Sequence, residues 1–597
     1  MGQLKMISRW WTAHELWVLA VATPFFVFPG EWRVLVGIGL LGLSWLSRRW
    51  TTGRWSRPTP LGVPIIWLGV MSVVGYTVSV SAEVSWAKLW GMWGQIAFFW
   101  SVLNGLQTEA DWRLVRWGYL LLPLAVAVVS FIGTDWSQVR LAYIPAIYDH
   151  LPQLSLGLPG SGVPRASELF HVRQVGATMA LLLPGPLAWA LWGTGWERWV
   201  AVVSTVVAVV VLLLSQALMG LLGLAVAIWL LLAWRWRGAV WLPVGGLLVL
   251  VGGIGVYGPS RLLAMMLDET HPLGLPIVLR LDMWSRAVAM VGDMPVTGVG
   301  LNSYPLIQTH FYIGYLLGPE PHAHNLWLQT AVDLGLPGLI AFIWLILGFL
   351  WSARRAYQQI ELERDRIWVM AAVAGVVAYV AGGLLDTMTL GAKPMVAWWG
   401  LLALPTALAW LGQEEEPTGW GWGKRWFIVV PVVVMGGLWL LSAERQMAAW
   451  RGHQAVYAAR MGEVDADLLA MAERYLAVDW GDNGDLWHLR GSVAGWQGDV
   501  AAARAAWTRQ IEVDRERPLA RYAPFQAWRA QLEGESVAED EALTKIYTIW
   551  RTRYGQRADY YLLLALWAEE QGDGVGAAEV LAAGRAAEAQ PAILVAD

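Results

Sequence analysis

The chain contains no cysteine among its 597 residues. Disulfide bonds, thiolate metal sites and cysteine nucleophiles are therefore excluded. Charged residues are scarce, at 15% of the sequence, whereas soluble domains carry roughly 25%. Hydrophobic residues make up 57% of the chain, and they come in runs of roughly the length that a helix needs to cross a bilayer. The composition indicates a polytopic helical membrane protein.

The sequence also lacks the glycine-rich fingerprints of nucleotide-binding proteins. Walker-type and dinucleotide-binding motifs are absent, which argues against nucleotide hydrolysis and hydride transfer. The net charge is only −4, and we expect no nucleic-acid partner. We also expect no cofactor.

Residues 1–443 contain thirteen candidate membrane spans, so the predicted fold is an all-α bundle of about 12–13 spans. The spans are 11–29, 31–47, 61–80, 86–105, 114–133, 172–193, 197–214, 216–235, 238–257, 330–352, 367–386, 391–411 and 425–443. Lys and Arg concentrate at the N-terminus and in the loops after spans two, eight, ten and twelve. Because such loops stay in the cytoplasm, we expect loops 134–171 and 258–329 to be extracytoplasmic.

The tail, residues 444–597, has a different composition and is rich in Ala, Glu, Arg and Asp with helical periodicity. A short signature recurs at 461–463, 497–499 and 571–573, at spacings close to one and two helix-hairpin units. Around the second copy, the large and small residues partly fit a tetratricopeptide pattern. These residues are Trp487, Gly491, Gly498, Ala503 and Trp507. We predict a TPR-like domain, expected outside the cytoplasm and suited to binding a protein partner; an irregular helical domain is the alternative.

Polar and ionisable residues are concentrated in loop 258–329, in a chain that is otherwise mostly apolar. Ionisable groups at a membrane boundary are costly and are candidates for function. His324 precedes a long apolar helix, and a histidine with a pKa near neutrality can take a proton from a hydroxyl nucleophile. Asn325 follows it and is expected to orient a ring or a ligand. His310 and His322 are weaker candidates, and since no cluster of acidic or cysteine ligands stands close to them in the sequence, we predict no metal site.

Arg280 opens a segment with helical spacing. Met283, Trp284, Ala287 and Met290 share its predicted face. A guanidinium at this position suits the anionic headgroup of a substrate, because it binds phosphate in bidentate geometry. The alternative, equally supported by the sequence, is an interfacial arginine whose side chain reaches the phosphates of the surrounding lipids. Arg286 lies on another face and is expected to be solvated.

The spacing of these residues resembles the O-antigen ligase and O-antigen polymerase superfamily. His324-Asn325, nine residues and then Gly335-x-x-Gly338 before an apolar span look like its signature. Upstream, the pattern from Arg280 through the glycines of 298–300 to Tyr304 looks like that family's large extracytoplasmic loop. The resemblance covers about residues 10–440.

The resemblance implies a GT-C-like glycosyltransferase that uses neither a metal nor a nucleotide sugar. The donor would be a glycan on undecaprenyl diphosphate, and the acceptor would be a hydroxyl of a lipid, a glycan or a protein. His324 would act as general base, and Arg280 would bind the diphosphate leaving group, with Tyr304 and Asn325 among the substrate-binding residues.

One position departs from the family pattern. Members commonly carry a Ser-Arg-Gly-like turn between two middle spans, where this chain has Ser215-Gln216-Ala217. Glutamine supplies hydrogen bonds but no charge. Gln216 is kept as a candidate substrate-binding residue, and Arg165 in loop 134–171, or Arg173 just after that loop, is expected to compensate.

Three other interpretations remain open. A protein O-oligosaccharyltransferase would use the helical tail to bind a protein acceptor. A transporter or flippase is disfavoured by the absence of a clear inverted repeat. A non-catalytic membrane scaffold would account for the neutral residue at Gln216.

Overall fold

The computed structural model describes most of the bundle and the start of the tail. The described ranges are 2–27, 31–136, 171–267, 274–310, 320–411, 426–460, 463–477 and 484–499, with a few isolated positions between and after them.

Helices account for the regular structure of these ranges, and the all-α prediction is confirmed. In chain order they are α1 Gly2–Ala13, α2 Glu15–Val27, α3 Glu31–Thr52, α4 Gly62–Thr77, α5 Ala82–Gly105, α6 Glu109–Gly133, α7 Val172–Leu182, α8 Pro184–Trp192, α9 Glu197–Ser215, α10 Leu218–Arg235, α11 Leu242–Tyr257, α12 Pro259–Leu267, α13 Gly274–Asp293, α14 Tyr304–His310, α15 Leu326–Gln359, α16 Glu363–Gly382, α17 Met395–Ala409, α18 Trp426–Arg460, α19 Ala466–Leu476 and α20 Gly484–Trp496.

Each predicted span coincides with a helix or, for 172–193, with the pair α7 and α8, which are bent by 40° relative to one another. In the described ranges, 6 helices are long and apolar enough to cross a membrane, or up to 7 if the bent pair counts as one span. Shorter apolar helices lie within α2, α4 and α17. The count of thirteen crossings stays a prediction.

The chain divides into two compact units. The first comprises Met1–Arg280, Val296–Asn302 and His322–Gly436. The second comprises Leu281–Pro295, Ser303–Pro321 and Gly437–Asp597. The predicted domain boundary at 443/444 stays a prediction, but the second unit also takes in two segments of loop 258–329.

In the first unit, α15 is interrupted at Gly335, which has φ +68° and ψ 179° inside an otherwise helical run. Glycine adopts this left-handed φ without steric cost. A Cβ at Gly335 would lie 2.2 Å from the Val296 carbonyl oxygen, so the interruption also makes room for the segment Val296–Asn302. The glycine of the sequence motif is therefore the place where this segment docks on α15.

Backbone hydrogen bonds attach the docked segment to two helices of the first unit. Val299 N–H donates to Val332 O in α15 at 2.9 Å, and Leu301 N–H donates to Gly75 O in α4 at 2.8 Å. Asp333 accepts from Asn302 N–H at 3.1 Å and from Lys88 Nζ of α5 at 2.7 Å. Because unpaired backbone groups are costly in lipid, these bonds make the non-helical segment compatible with its surroundings.

In the second unit, the face of α13 that carries Met283, Ala287 and Met290 is buried, as its spacing predicts. The prediction for Arg286 is wrong, because its side chain is only 2% exposed. It donates to Asp282 Oδ2 at 2.6 Å and to Tyr312 O at 3.2 Å. A residue outside α13 covers this arginine, which the periodicity of α13 alone does not reveal.

The described tail begins with the continuous helix α18 and continues with the neighbouring helices α19 and α20. Gly491 and Ala503 are buried and Trp487 is half-buried. Residues 461–462, the side chain of Trp507 and the third copy of the signature lie outside the described residues, so the TPR-like domain stays a prediction.

Candidate active site

His324 is held in a strained backbone conformation directly before α15. Its φ is +47°, in the left-handed region that non-glycine residues rarely adopt. Asn325 then caps the helix, because its Oδ1 accepts from Trp327 N–H at 3.0 Å and from Leu328 N–H at 3.1 Å. The sequence pair His-Asn therefore combines a fixed histidine with the residue that starts the helix.

A turn that follows α16 meets this helix start. Leu326 N–H donates to Gly383 O at 2.7 Å, and Asn325 Nδ2 donates to Leu384 O at 3.2 Å. The side chain of Asn325 is thus used in capping and in fastening the turn. These bonds bring Asp386, 62 residues away in sequence, to His324.

His324 and Asp386 form a hydrogen-bonded pair. His324 Nδ1 lies 2.8 Å from Asp386 Oδ1, which also accepts from Thr387 N–H at 2.8 Å. The side chains are only 5% and 12% exposed. Burial acts to raise the pKa of Asp386, but the hydrogen bond to His324, the charges of His324 and His322, and the Thr387 N–H lower it to about 2. The carboxylate is therefore ionised at neutral pH and can accept the Nδ1 proton of a neutral His324 ring, a tautomer in which the ring's lone pair is on Nε2.

His322 is the third member of this group. Its Nδ1 lies 4.0 Å from Asp386 Oδ1, and its ring meets the His324 ring edge-on at 4.5 Å between centroids. Asp386, which is distant from both histidines in the sequence, therefore comes close to each of them in the fold. His322, His324 and Asp386 each offer a ligand atom, all within 4.8 Å of one another. The side chain of His310 lies outside the described residues.

Arg280 lies in α13 at the end of the first unit and acts on the same carboxylate. Burial lowers the pKa of its guanidinium, while Asp386 raises it and Arg173 lowers it. Nη1 reaches Pro276 O at 3.4 Å, and the buried Nε has no hydrogen-bond partner among the described residues. Because arginine remains charged in proteins, this is a half-buried cation with donor capacity left for an anion.

Two further basic residues stand in the same electrostatic environment. His171 precedes α7 and its Nδ1 accepts from Arg173 N–H at 3.2 Å. Burial and the charge of Arg173 lower the pKa of His171, whereas Asp386 acts to raise it. Arg173 is exposed. His171 and Arg280 therefore both interact electrostatically with Asp386, and Arg173 with both of them.

The other predicted site residues have local environments of their own. Gln216 adopts φ +48° between α9 and α10, and its Nε2 donates to Tyr148 Oη at 2.8 Å. Tyr304 belongs to the second unit, where it is fully buried and burial raises its pKa. Arg165 lies outside the described residues. Their predicted substrate contacts stay predictions.

Asp386 is the residue that sequence reasoning missed. It closes an apolar stretch and was counted as the last residue of the span 367–386, although α16 ends at Gly382. The available signal was a single acidic residue after Gly382-Gly383 at the end of a span predicted to face outward. Only the tertiary fold shows that it meets His324.

Residues 201–343 match the family model described as O-Antigen ligase. This region, less than half of the chain, extends from α9 into α15 and includes Arg280 and His324 but ends before Asp386. No curated protein matches the chain. The match supports the superfamily that the motif resembles, and with the apolar helices it indicates a multi-pass membrane protein of a glycosyl-transfer type.

Proposed function

We propose that the protein transfers a glycan from undecaprenyl diphosphate to a hydroxyl acceptor on the extracytoplasmic side of the cell membrane. The observation that carries the proposal is the buried His324–Asp386 pair at the start of α15, within hydrogen-bonding distance at 2.8 Å. A histidine oriented by a carboxylate is a general base with a fixed tautomer.

The reaction follows from the two sides of the pair. His324 Nε2 takes the proton of the acceptor hydroxyl as its oxygen attacks the anomeric carbon of the donor sugar. The bond from that carbon to the phosphate oxygen breaks, and the diphosphate leaves with the electron pair. Asp386 holds Nδ1–H and stabilises the imidazolium that forms. The low exposure of His324 limits access of water to the base.

Arg280 supplies the complementary charge. As the diphosphate leaves, negative charge develops on its oxygens, and a positioned guanidinium stabilises that charge. The buried Nε without a described partner is the donor available for this contact. Arg173 adds positive charge from α7. The bound diphosphate would thus replace the water that burial removes from around the Arg280 guanidinium.

Asn325 has a positioning role in this proposal. Its oxygen is occupied by the first N–H groups of α15 and its nitrogen by Leu384 O, so it fixes both partners of the catalytic pair. A substitution at Asn325 would act through His324 and Asp386 rather than through the substrate.

The test is transfer by the full chain in proteoliposomes that contain an undecaprenyl-diphosphate-linked glycan. We expect His324→Ala to lower the rate by about 10²–10⁴, the usual contribution of a general base. His150→Ala is the matched control, because that histidine is exposed. Transfer by His324→Ala at the rate of this control would remove His324 from the mechanism.

The acceptor is decided by the product of the same assay. A glycan acceptor that grows in length marks a polymerase, a single addition to a lipid marks a ligase, and labelling of a protein marks an O-oligosaccharyltransferase. No transfer to any of the three acceptor classes would favour the scaffold interpretation.

A further inference from the structure

His322, His324 and Asp386 have the geometry of a metal site as well as of a base. Ligand atoms about 2.1 Å from a tetrahedral zinc ion lie about 3.4 Å from one another. The two distances to Asp386 Oδ1, 2.8 Å from His324 Nδ1 and 4.0 Å from His322 Nδ1, bracket this value. All three ligand atoms lie within 4.8 Å of one another, so small side-chain adjustments would bring them to this spacing.

The donor set also suits a particular class of ion. Imidazole nitrogen favours zinc and neighbouring transition metals, and two histidines with one carboxylate leave the fourth zinc position open. Mg²⁺ prefers six oxygen ligands in octahedral geometry and is poorly served by this group. Arg280 and Arg173, whose charges act in the same environment as Asp386, disfavour an additional cation. Their charge points to a reversible site of moderate affinity rather than to a permanently bound ion.

We propose that Zn²⁺ or a similar transition-metal ion binds to His322, His324 and Asp386 and thereby inhibits the protein. The inhibition rests on the proposed function, because it acts on the base. In the metal-free pair, Nδ1 of His324 carries the proton that Asp386 accepts, and the lone pair of the neutral ring is on Nε2. Coordination of the metal at Nδ1 requires that proton to move to Nε2, so the neutral ring keeps one proton and Nε2 becomes an N–H group.

This change of tautomer removes the base without removing the histidine. A metal-bound Nδ1 and a protonated Nε2 leave His324 no lone pair with which to accept the acceptor's proton. The metal also takes Asp386 away from its hydrogen bond with His324. Both consequences oppose transfer, so the metal acts as an inhibitor and not as a cofactor of the proposed reaction.

The test uses the purified full chain and buffered free Zn²⁺, with binding measured by competition with a chromogenic chelator. We expect one Zn²⁺ per chain at micromolar concentration and inhibition of transfer over the same concentration range. His322→Gln removes one ligand outside the catalytic pair, so it should weaken both zinc binding and zinc inhibition by at least tenfold. Zinc inhibition of this variant is expressed relative to its own transfer rate without zinc, so that any effect of the substitution on the basal rate is separated from the effect of zinc. Gel filtration establishes that the variant is folded.

Three controls sharpen the result. His150→Gln should leave zinc affinity unchanged, and Mg²⁺ at equal concentration should neither bind nor inhibit. Asp386→Asn removes a second ligand and should weaken zinc binding by at least tenfold. Equal zinc affinity in wild type and His322→Gln would overturn the site, and zinc binding without inhibition, or with activation, would overturn its role. If no protein transfers glycan but zinc binding still requires His322, the proposed function fails and the metal site stands.

Discussion

Two buried pairs in the first unit both join an acidic side chain to a basic one near the N-terminal half of α15. One is His324 with Asp386, and the other is Lys88 of α5 with Asp333 of α15. Their burial is similar, with Lys88 and Asp333 exposed by 8% and 6%. Burial and charge alone therefore do not separate a catalytic pair from a structural one.

The two pairs differ in whether their basic member is able to accept a proton. Asp333 uses both oxygens, one for Lys88 Nζ and one for the backbone N–H of Asn302. Its partner is a lysine whose ammonium has no lone pair to accept a proton. In the other pair, Nδ1 of His324 contacts Asp386, and a neutral imidazole keeps a lone pair that is able to accept a proton. A lysine–carboxylate pair can hold the backbone in place, whereas a histidine–carboxylate pair can also accept a proton.

The largest effect that tests this contrast is on stability. Lys88→Met leaves Asp333 charged and buried, and breaking a buried pair in this way costs about 3–5 kcal/mol. We expect a sharp loss of folded protein in detergent, which thermal unfolding would measure. Lys88→Met combined with Asp333→Asn removes both charges and keeps an oxygen for Asn302 N–H, so most of the stability should return. If that folded double variant transfers as poorly as His324→Ala, the pair has a chemical role and the contrast is wrong.

The second effect is on the rate of transfer. Asp386→Asn keeps the shape of the side chain but removes the charge that stabilises the imidazolium, and we expect a loss of about 10²-fold with little change in stability. Glu83→Gln, at an exposed position in α5, is the neutral control. A fall in folded protein comparable to that of Lys88→Met, with unchanged activity per folded molecule, would make Asp386 a structural residue.

The smallest effect concerns the basic side of the site. Arg280→Lys keeps the charge but loses the planar fork, so we expect about a tenfold weaker response to donor concentration, read as a higher KM. Arg261→Lys, at an exposed arginine of α12, should match the wild type. If Arg280→Lys is also indistinguishable from the wild type, bidentate binding of the diphosphate by Arg280 is excluded.

Sequence reasoning located the helices and one side of the site. Hydropathy places the thirteen apolar segments because burying or embedding apolar runs is a local property of the chain. His324 and Arg280 were found because motif spacing is also local. The structure adds what is not local, as with Asp386, which lies 62 residues from His324 and was hidden at the edge of an apolar run.

The roles of individual side chains were harder to predict than their positions. Asn325 was expected to orient a ring or a ligand, and its contacts show a helix cap that also holds the turn before Asp386. Arg286 was expected to be solvated, and Tyr312 from another segment covers it. In both cases the deciding contact comes from a hydrogen-bond partner that periodicity does not encode.

The interruption of α15 at Gly335 explains why the spacing of residues within the motif matters. His324 and Asn325 are not helical, so the helical stretch between His324 and Gly335 is the nine residues 326–334, which make about 2.5 turns and span about 13 Å at 1.5 Å per residue. The segment Val296–Asn302 docks at that interruption, and His324 lies at the other end of the same helical segment. Inserting one residue between them would rotate one end by about 100° relative to the other. The nine-residue interval of the motif therefore sets both the distance and the angle between the docked segment and His324.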